Sequence, residues 1–133
     1  MPERAVASIS ARLELPATLA VPGGRLAYVI INTGTVPVAL GAAYGLERRG
    51  ASGWEDLPVP YAFPLWGLRL QSGSRREMVA RIPEHAQAGR HRLRVRLPAD
   101  RDPHPGYEWV AQEEIQPVEV SAEFDVRLPE ASG

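Results

Sequence analysis

Thirteen prolines and twelve glycines interrupt the 133 residues every few positions, and this punctuation limits the possible folds more than any other feature. Proline removes a backbone donor and clashes with the preceding helical turn, and glycine is a poor helix former. No uninterrupted window is therefore long enough for an amphipathic helix of three or more turns. The chain is expected to fold through short strands.

The apolar residues bear this out with a period of two. Ile9, Ala11, Leu13 and Leu15 alternate with Ser10, Arg12 and Glu14, as in a half-buried strand, and Pro16 closes the run. After Pro22-Gly23-Gly24, the segment Leu26 to Ile31 is nearly continuously apolar and reads as a central strand covered on both faces. Asn32-Thr33-Gly34 supplies turn chemistry. A third strand is expected over about Val38 to Arg49, returning through Gly50 toward Trp54 and Leu57 as a hairpin. The prolines of Pro58 to Pro64 cannot donate ladder hydrogen bonds, so that stretch should be an extended edge or a loop. Short strands follow near Trp66 to Leu70 and Arg76 to Ile82, then one helical or 3₁₀ turn over Pro83 to Gly89.

The clearest strand is Arg90 to Leu97. His91, Leu93, Val95 and Leu97 make one face and four arginines the other. Val118 to Val126 is its natural partner, with Glu119, Ser121, Glu123 and Asp125 opposite an apolar face, so the two charged faces complement each other. Seven or eight short strands without helices to cover a parallel sheet indicate one all-β domain over residues 1–133, an antiparallel β-sandwich of immunoglobulin-like type, with an up-and-down barrel as the alternative.

Four fragments in order carry a resemblance: Pro22-Gly23 before a strand ending in Asn32; Gly41 with Tyr44-Gly45-Leu46-Glu47; Gly53-Trp54 with Leu57-Pro58; and Gly89-Arg90-His91-Arg92-Leu93 with a closing Ala122-Glu123-Phe124. Together they resemble a family of bacterial immunoglobulin-like domains, with His91 where that pattern usually has tyrosine. The resemblance implies an accessory or binding module of bacterial envelope or secreted proteins, without a common catalytic site. In that pattern Trp54, His91 and Leu93 are structural residues. The tyrosine hydroxyl of many immunoglobulin strands bonds backbone a few residues upstream, so a buried His91 is expected to bond a backbone group around Pro83 to Ala88.

Composition narrows the chemistry. No cysteine means no disulfide, thiolate nucleophile or Cys-ligated metal, and His85, His91 and His104 lack metal-site spacing, so no metal or other cofactor is expected. No nucleophile-elbow pattern surrounds any serine, and Glu55-Asp56 and Glu113-Glu114 are adjacent pairs that point to opposite faces of a strand. An enzyme is not expected. All fifteen basic residues are arginine, the bias of a GC-rich bacterial coding sequence, but the net charge is only −1 and gives no bulk attraction to nucleic acid. No apolar run is long enough for a membrane span. Localisation stays open: cell envelope or secreted if the chain is a module excised from a longer protein, otherwise cytoplasmic.

A protein partner of unknown identity is therefore the expected ligand, in an interaction or spacer module; the alternative is an immunoglobulin-like protease inhibitor. The candidate contacts are the proline-bracketed aromatics Tyr61, Phe63 and Trp66, and the residues Arg101, His104, Tyr107 and Trp109 of a long connection from Pro98 to Pro117. Prolines pre-order the first group and lower the entropy lost on binding.

Overall fold

The computed structural model describes residues 9–63, 67–99 and 117–129, which are all-β. Their strands in chain order are β1 (Ala11–Glu14), β2 (Leu19–Ala20), β3 (Arg25–Asn32), β4 (Val38–Gly41), β5 (Gly45–Gly50), β6 (Gly53–Leu57), β7 (Gly67–Leu70), β8 (Arg75–Arg81), β9 (Gly89–Leu97) and β10 (Val118–Val126). One sheet has the order β1-β3-β8, a second β2-β10-β9-β5-β6, and β4 pairs with β7. Placing the first, second and fifth immunoglobulin strands on one sheet, and the third, sixth and seventh with an added neighbour on the other, is the immunoglobulin connectivity. The inward residues of both sheets, among them Tyr28, Ile30, Met78, Leu46, Leu93 and Phe124, join one hydrophobic cluster, so the sheets face each other across a single core.

The details depart from the sequence reading in three places. The expected seven or eight strands are ten among the described residues, because the opening strand is shared between sheets: β1 pairs with β3, and the two-residue β2 runs parallel to β10. That parallel pair also breaks the expected all-antiparallel order. The third strand is divided. Between the pairs Val38↔Ala99 and Gly45↔Arg94 the chain advances seven residues while its partner advances five, and Ala42 to Tyr44 hold the excess as a bulge. In β3 only the second half is covered on both faces; Ala27 is exposed while Val29 and Ile30 are buried. Over Pro83 to Gly89 the expected single turn forms, closed in the 3₁₀ manner by the Ala86 N–H on the Pro83 carbonyl at 3.1 Å.

Two glycines enter strands through the same device. Pro22-Gly23 lies inside a turn closed by the Gly24 N–H on the Val21 carbonyl, and Gly73 inside one closed by Ser74 on Gln71; Gly23 has φ 77° and Gly73 φ 79°, values that favour glycine at the third position of a type II turn.

Asn32 ties these parts together. Its side chain is fully buried, with Nδ2 donating to the carbonyls of Val36 and Leu70, both at 2.9 Å, and Oδ1 accepting the Gly34 N–H at 2.9 Å. Its backbone N–H donates to Ser74 and its carbonyl accepts from Gly73. One residue thus fixes the end of β3, the loop into β4, the end of β7 and the turn into β8. Replacing Asn32 with Leu strips partners from two buried carbonyls and one amide, and is expected to lower the unfolding free energy by about 2–4 kcal/mol. Urea denaturation measures this; a loss below about 0.5 kcal/mol would mean that the amide is dispensable.

Candidate functional site

The outward face of the five-stranded sheet carries the most organised polar cluster among the described residues. In the β9–β5–β6 register Arg92 lies opposite Glu47, Gly45 opposite Arg94, and Glu47 opposite Asp56. Both oxygens of Glu47 accept from Arg92, at 3.1 and 3.0 Å, and Oε1 also accepts from Arg94. Arg94 in turn grips Glu119 of β10 through two hydrogen bonds of 2.8 and 2.7 Å, and Arg90 pairs with Asp125. Trp54 lies under Arg92, whose guanidinium carbon is 4.5 Å from a ring centroid, with Arg49 at 5.8 Å.

Glu47 is buried although it points away from the core. The Arg92 guanidinium, seconded by Arg94, holds its carboxyl below the usual carboxylate range against the burial that would raise it. Glu119 and Glu47 likewise push the Arg94 guanidinium further up. The cluster is a locked ionic network, without a free base.

Beside it lies a shallow hollow of about 260 Å³, lined by Tyr44, Gly45, Asp56, Arg94, Arg96 and Glu119 among others. Its floor is Gly45. This glycine has no positive φ, and a Cβ built on it would meet nothing within 4 Å. Neither backbone conformation nor crowding requires glycine there, although glycine inside a strand gives up side-chain packing.

His91 is fully buried at the other face of β9, packed on Phe124 with ring centroids 5.7 Å apart. Nδ1 is 3.0 Å from the Gly89 carbonyl, which makes Nδ1 the protonated nitrogen of the neutral ring. The expected partner upstream, between Pro83 and Ala88, is thus corrected to Gly89, because the short imidazole lacks the reach of a tyrosine hydroxyl. Nε2 is buried without a partner in the described residues. Burial pulls the ring below the usual histidine range, outweighing the bond to Gly89. Leu93 is fully buried in the same row, and Trp54 is half-buried on the opposite face.

Of the aromatic candidates, Tyr61 and Phe63 are half-buried around Tyr44. Phe63 meets Tyr44 edge-on at 5.0 Å, and the Arg81 guanidinium lies 4.3 Å from the Tyr61 ring. Tyr44 itself donates to the Arg81 carbonyl and accepts the Arg81 N–H, both at 2.8 Å. Trp66, Arg101, His104, Tyr107 and Trp109 lie outside the described residues, as does most of the Pro98 to Pro117 connection.

Sequence reasoning missed Glu47 and Gly45 as site residues. Both were named only as part of the fragment Tyr44-Gly45-Leu46-Glu47, and the arginines of Glu47 lie 45 and 47 positions away. The local signal was no more than an acid between Gly45 and Arg49; that this strand lies beside the arginine-rich one is a matter of sheet order.

No protein-family profile matches the chain, and no curated protein is similar to it in sequence. Among solved structures, it is similar to a Pseudomonas fluorescens alkylpurine DNA glycosylase bound to DNA containing an abasic site analogue, at 17% identity and TM-score 0.45 over 91% of this chain. It spans 31% of that glycosylase. It is also similar to a CARDB domain from Pyrococcus furiosus in complex with di-metal ions (11% identity, TM-score 0.45, 97% of this chain and 100% of that one). A Bacillus subtilis sporulation control protein follows at 10% identity and TM-score 0.44, with 94% of this chain and 51% of that one covered.

The two shifted groups give a stability profile in two steps. His91 is harder to protonate folded than unfolded, so its stability contribution is complete above the unfolded value of about 6.5 and is lost as the pH falls below it. Glu47 is also held low, so its contribution is present above about 4.3 and lost as the pH falls through its folded value. The urea midpoint should begin to fall as the pH drops below about 6.5 in the parent but stay level in His91→Phe down to about pH 4.5, below which it falls in both. Parallel curves for the two proteins over the upper interval would contradict the histidine assignment.

Proposed function

We propose that this chain is a non-catalytic interaction module that takes a protein partner on the outward face of its five-stranded sheet, at the hollow over Gly45. The observation that carries this reading is Gly45 itself, a strand glycine explained neither by φ nor by crowding. Glycine at such a position admits close approach by another molecule.

Two further features support it. Glu47, Arg92, Arg94 and Glu119 are held in a fixed arrangement by mutual hydrogen bonds, so a partner meets a surface already ordered. Asp56 and Arg96 line the hollow with opposite charges, and neither forms an ion pair among the described residues, which leaves both available across an interface. The resemblance to bacterial immunoglobulin-like domains favours an accessory role in an envelope or secreted protein.

Gly45→Trp tests the reading because it fills the hollow from an unstrained position. Its melting temperature should match the parent within about 3 °C. A protein retained from source-cell extract by the immobilised parent should be lost with the variant. Equal retention by both would place the contact elsewhere, and inhibition of a protease panel by the parent would favour an inhibitor.

A further inference from the structure

The three-stranded sheet ends differently on its two sides. On β8 the residues at even positions face β3: Ile82 donates to Gly24, and Ser74 accepts from Asn32. With the antiparallel register Arg25↔Arg81 through Ile31↔Arg75, the backbone groups of Arg75, Glu77, Val79 and Arg81 therefore point away from the sheet. At Arg81 the Tyr44 hydroxyl takes both, standing in for a neighbouring strand. At Glu77 and Val79 no backbone bond to another strand occurs among the described residues.

The side chains along this edge are also unmatched. Val79 is 58% exposed, one of the few large apolar side chains so open. Arg75 and Arg76 form no ion pair among the described residues, nor does Arg25 opposite Arg81, whereas Arg90, Arg92 and Arg94 of the other sheet are all paired. Glu77 is the one acidic residue of β8. In a chain of net charge −1, an edge with this cationic excess stands out.

We infer that the free edge of β8 receives an extended acidic segment of a partner protein as an added strand. The partner's backbone pairs with Glu77 and Val79; on the face that Arg75, Glu77, Val79 and Arg81 share, a carboxylate meets Arg75 and an apolar side chain covers Val79, and on the opposite face a neighbouring carboxylate meets Arg76. Tyr44 marks where the added strand stops. Main-chain pairing supplies the affinity and the arginines choose the sign of the partner. This surface belongs to the other sheet from the Gly45 hollow and shares Tyr44 with it, but the contacts read here are at Arg75 to Val79, so each can fail without the other.

A blocked nonapeptide with valine and threonine in its first six positions and glutamate in its last three is the probe, with the same peptide carrying lysine in place of glutamate as control, followed by amide chemical shifts and calorimetry on the whole chain. The acidic peptide should move the Glu77 and Val79 amide resonances and bind at least about tenfold more tightly than the basic one. Val79→Pro removes an outward N–H that the fold does not use, a position where strands tolerate proline. It should keep the fold and lose at least about tenfold in affinity. The double variant Arg75→Glu, Arg76→Glu leaves the backbone intact and should reverse the peptide preference. Three outcomes would overturn the inference: no shift at Glu77 and Val79, equal binding of both peptides to the parent, or self-association through β8 in sedimentation that Val79→Pro abolishes, which would make a second copy the occupant.

Discussion

The buried amide of Asn32 is the constraint that ties the three-stranded sheet to the β4–β7 pair and to the loop through which the chain leaves β3. A primary amide sealed from water costs several kcal/mol unless its donors and acceptor are satisfied, and only one relative placement of β3, the loop into β4, and β7 with its following turn satisfies them here. Hydrophobic burial brings the sheets together without fixing their relative position. Asn32 supplies direction at the end where the chain crosses between sheets, and the single core that results sets which faces are left for other molecules.

Those faces differ in character. The outward side of the five-stranded sheet is internally neutralised, with Glu47 clasped by Arg92 and Arg94 and the network continued by Glu119. Its arginines are partly solvated, so the ion pairs order the surface more than they stabilise the fold. The outer edge of β8 is the reverse: among the described residues its outward backbone groups at Glu77 and Val79 have no neighbouring strand, its valine is exposed, and Arg75 and Arg76 form no ion pair. At the other sheet's edge, β6 is ended by Pro58, with Pro60 two residues on, whereas β8 neither contains a proline nor is followed by one before Pro83. The charge on β8 discourages pairing with its like and leaves it open to an acidic strand.

Much of this architecture was legible in the residues and some was not, for physical reasons. β9 and β10 could be read because strict alternation over nine residues fits only a sheet with one buried face, and their register aligns arginines with acids along its length. The tight β5–β6 hairpin was announced by its flanking glycines. β2 was hidden because two residues carry no periodicity, and the bulge at Ala42 to Tyr44 because an inserted pair leaves alternation formally intact on either side. The pairing of Arg92 with Glu47 instead of the opposing Glu123 depends on which strand flanks β9 on its second side, a matter of sheet order that the sequence does not encode locally. The capping of Arg81 by Tyr44 spans 37 residues and has no sequence signature.

Amide hydrogen exchange along β8, resolved residue by residue in the free chain, tests the central claim that one sheet ends in an open strand edge. The structure predicts slow exchange at Met78, Ala80 and Ile82, whose N–H groups face β3, slow exchange at Arg81 beneath the Tyr44 hydroxyl, and fast exchange at Glu77 and Val79. Uniform protection from Arg75 to Ile82 would show that this edge is already covered in the free protein, and would contradict the account.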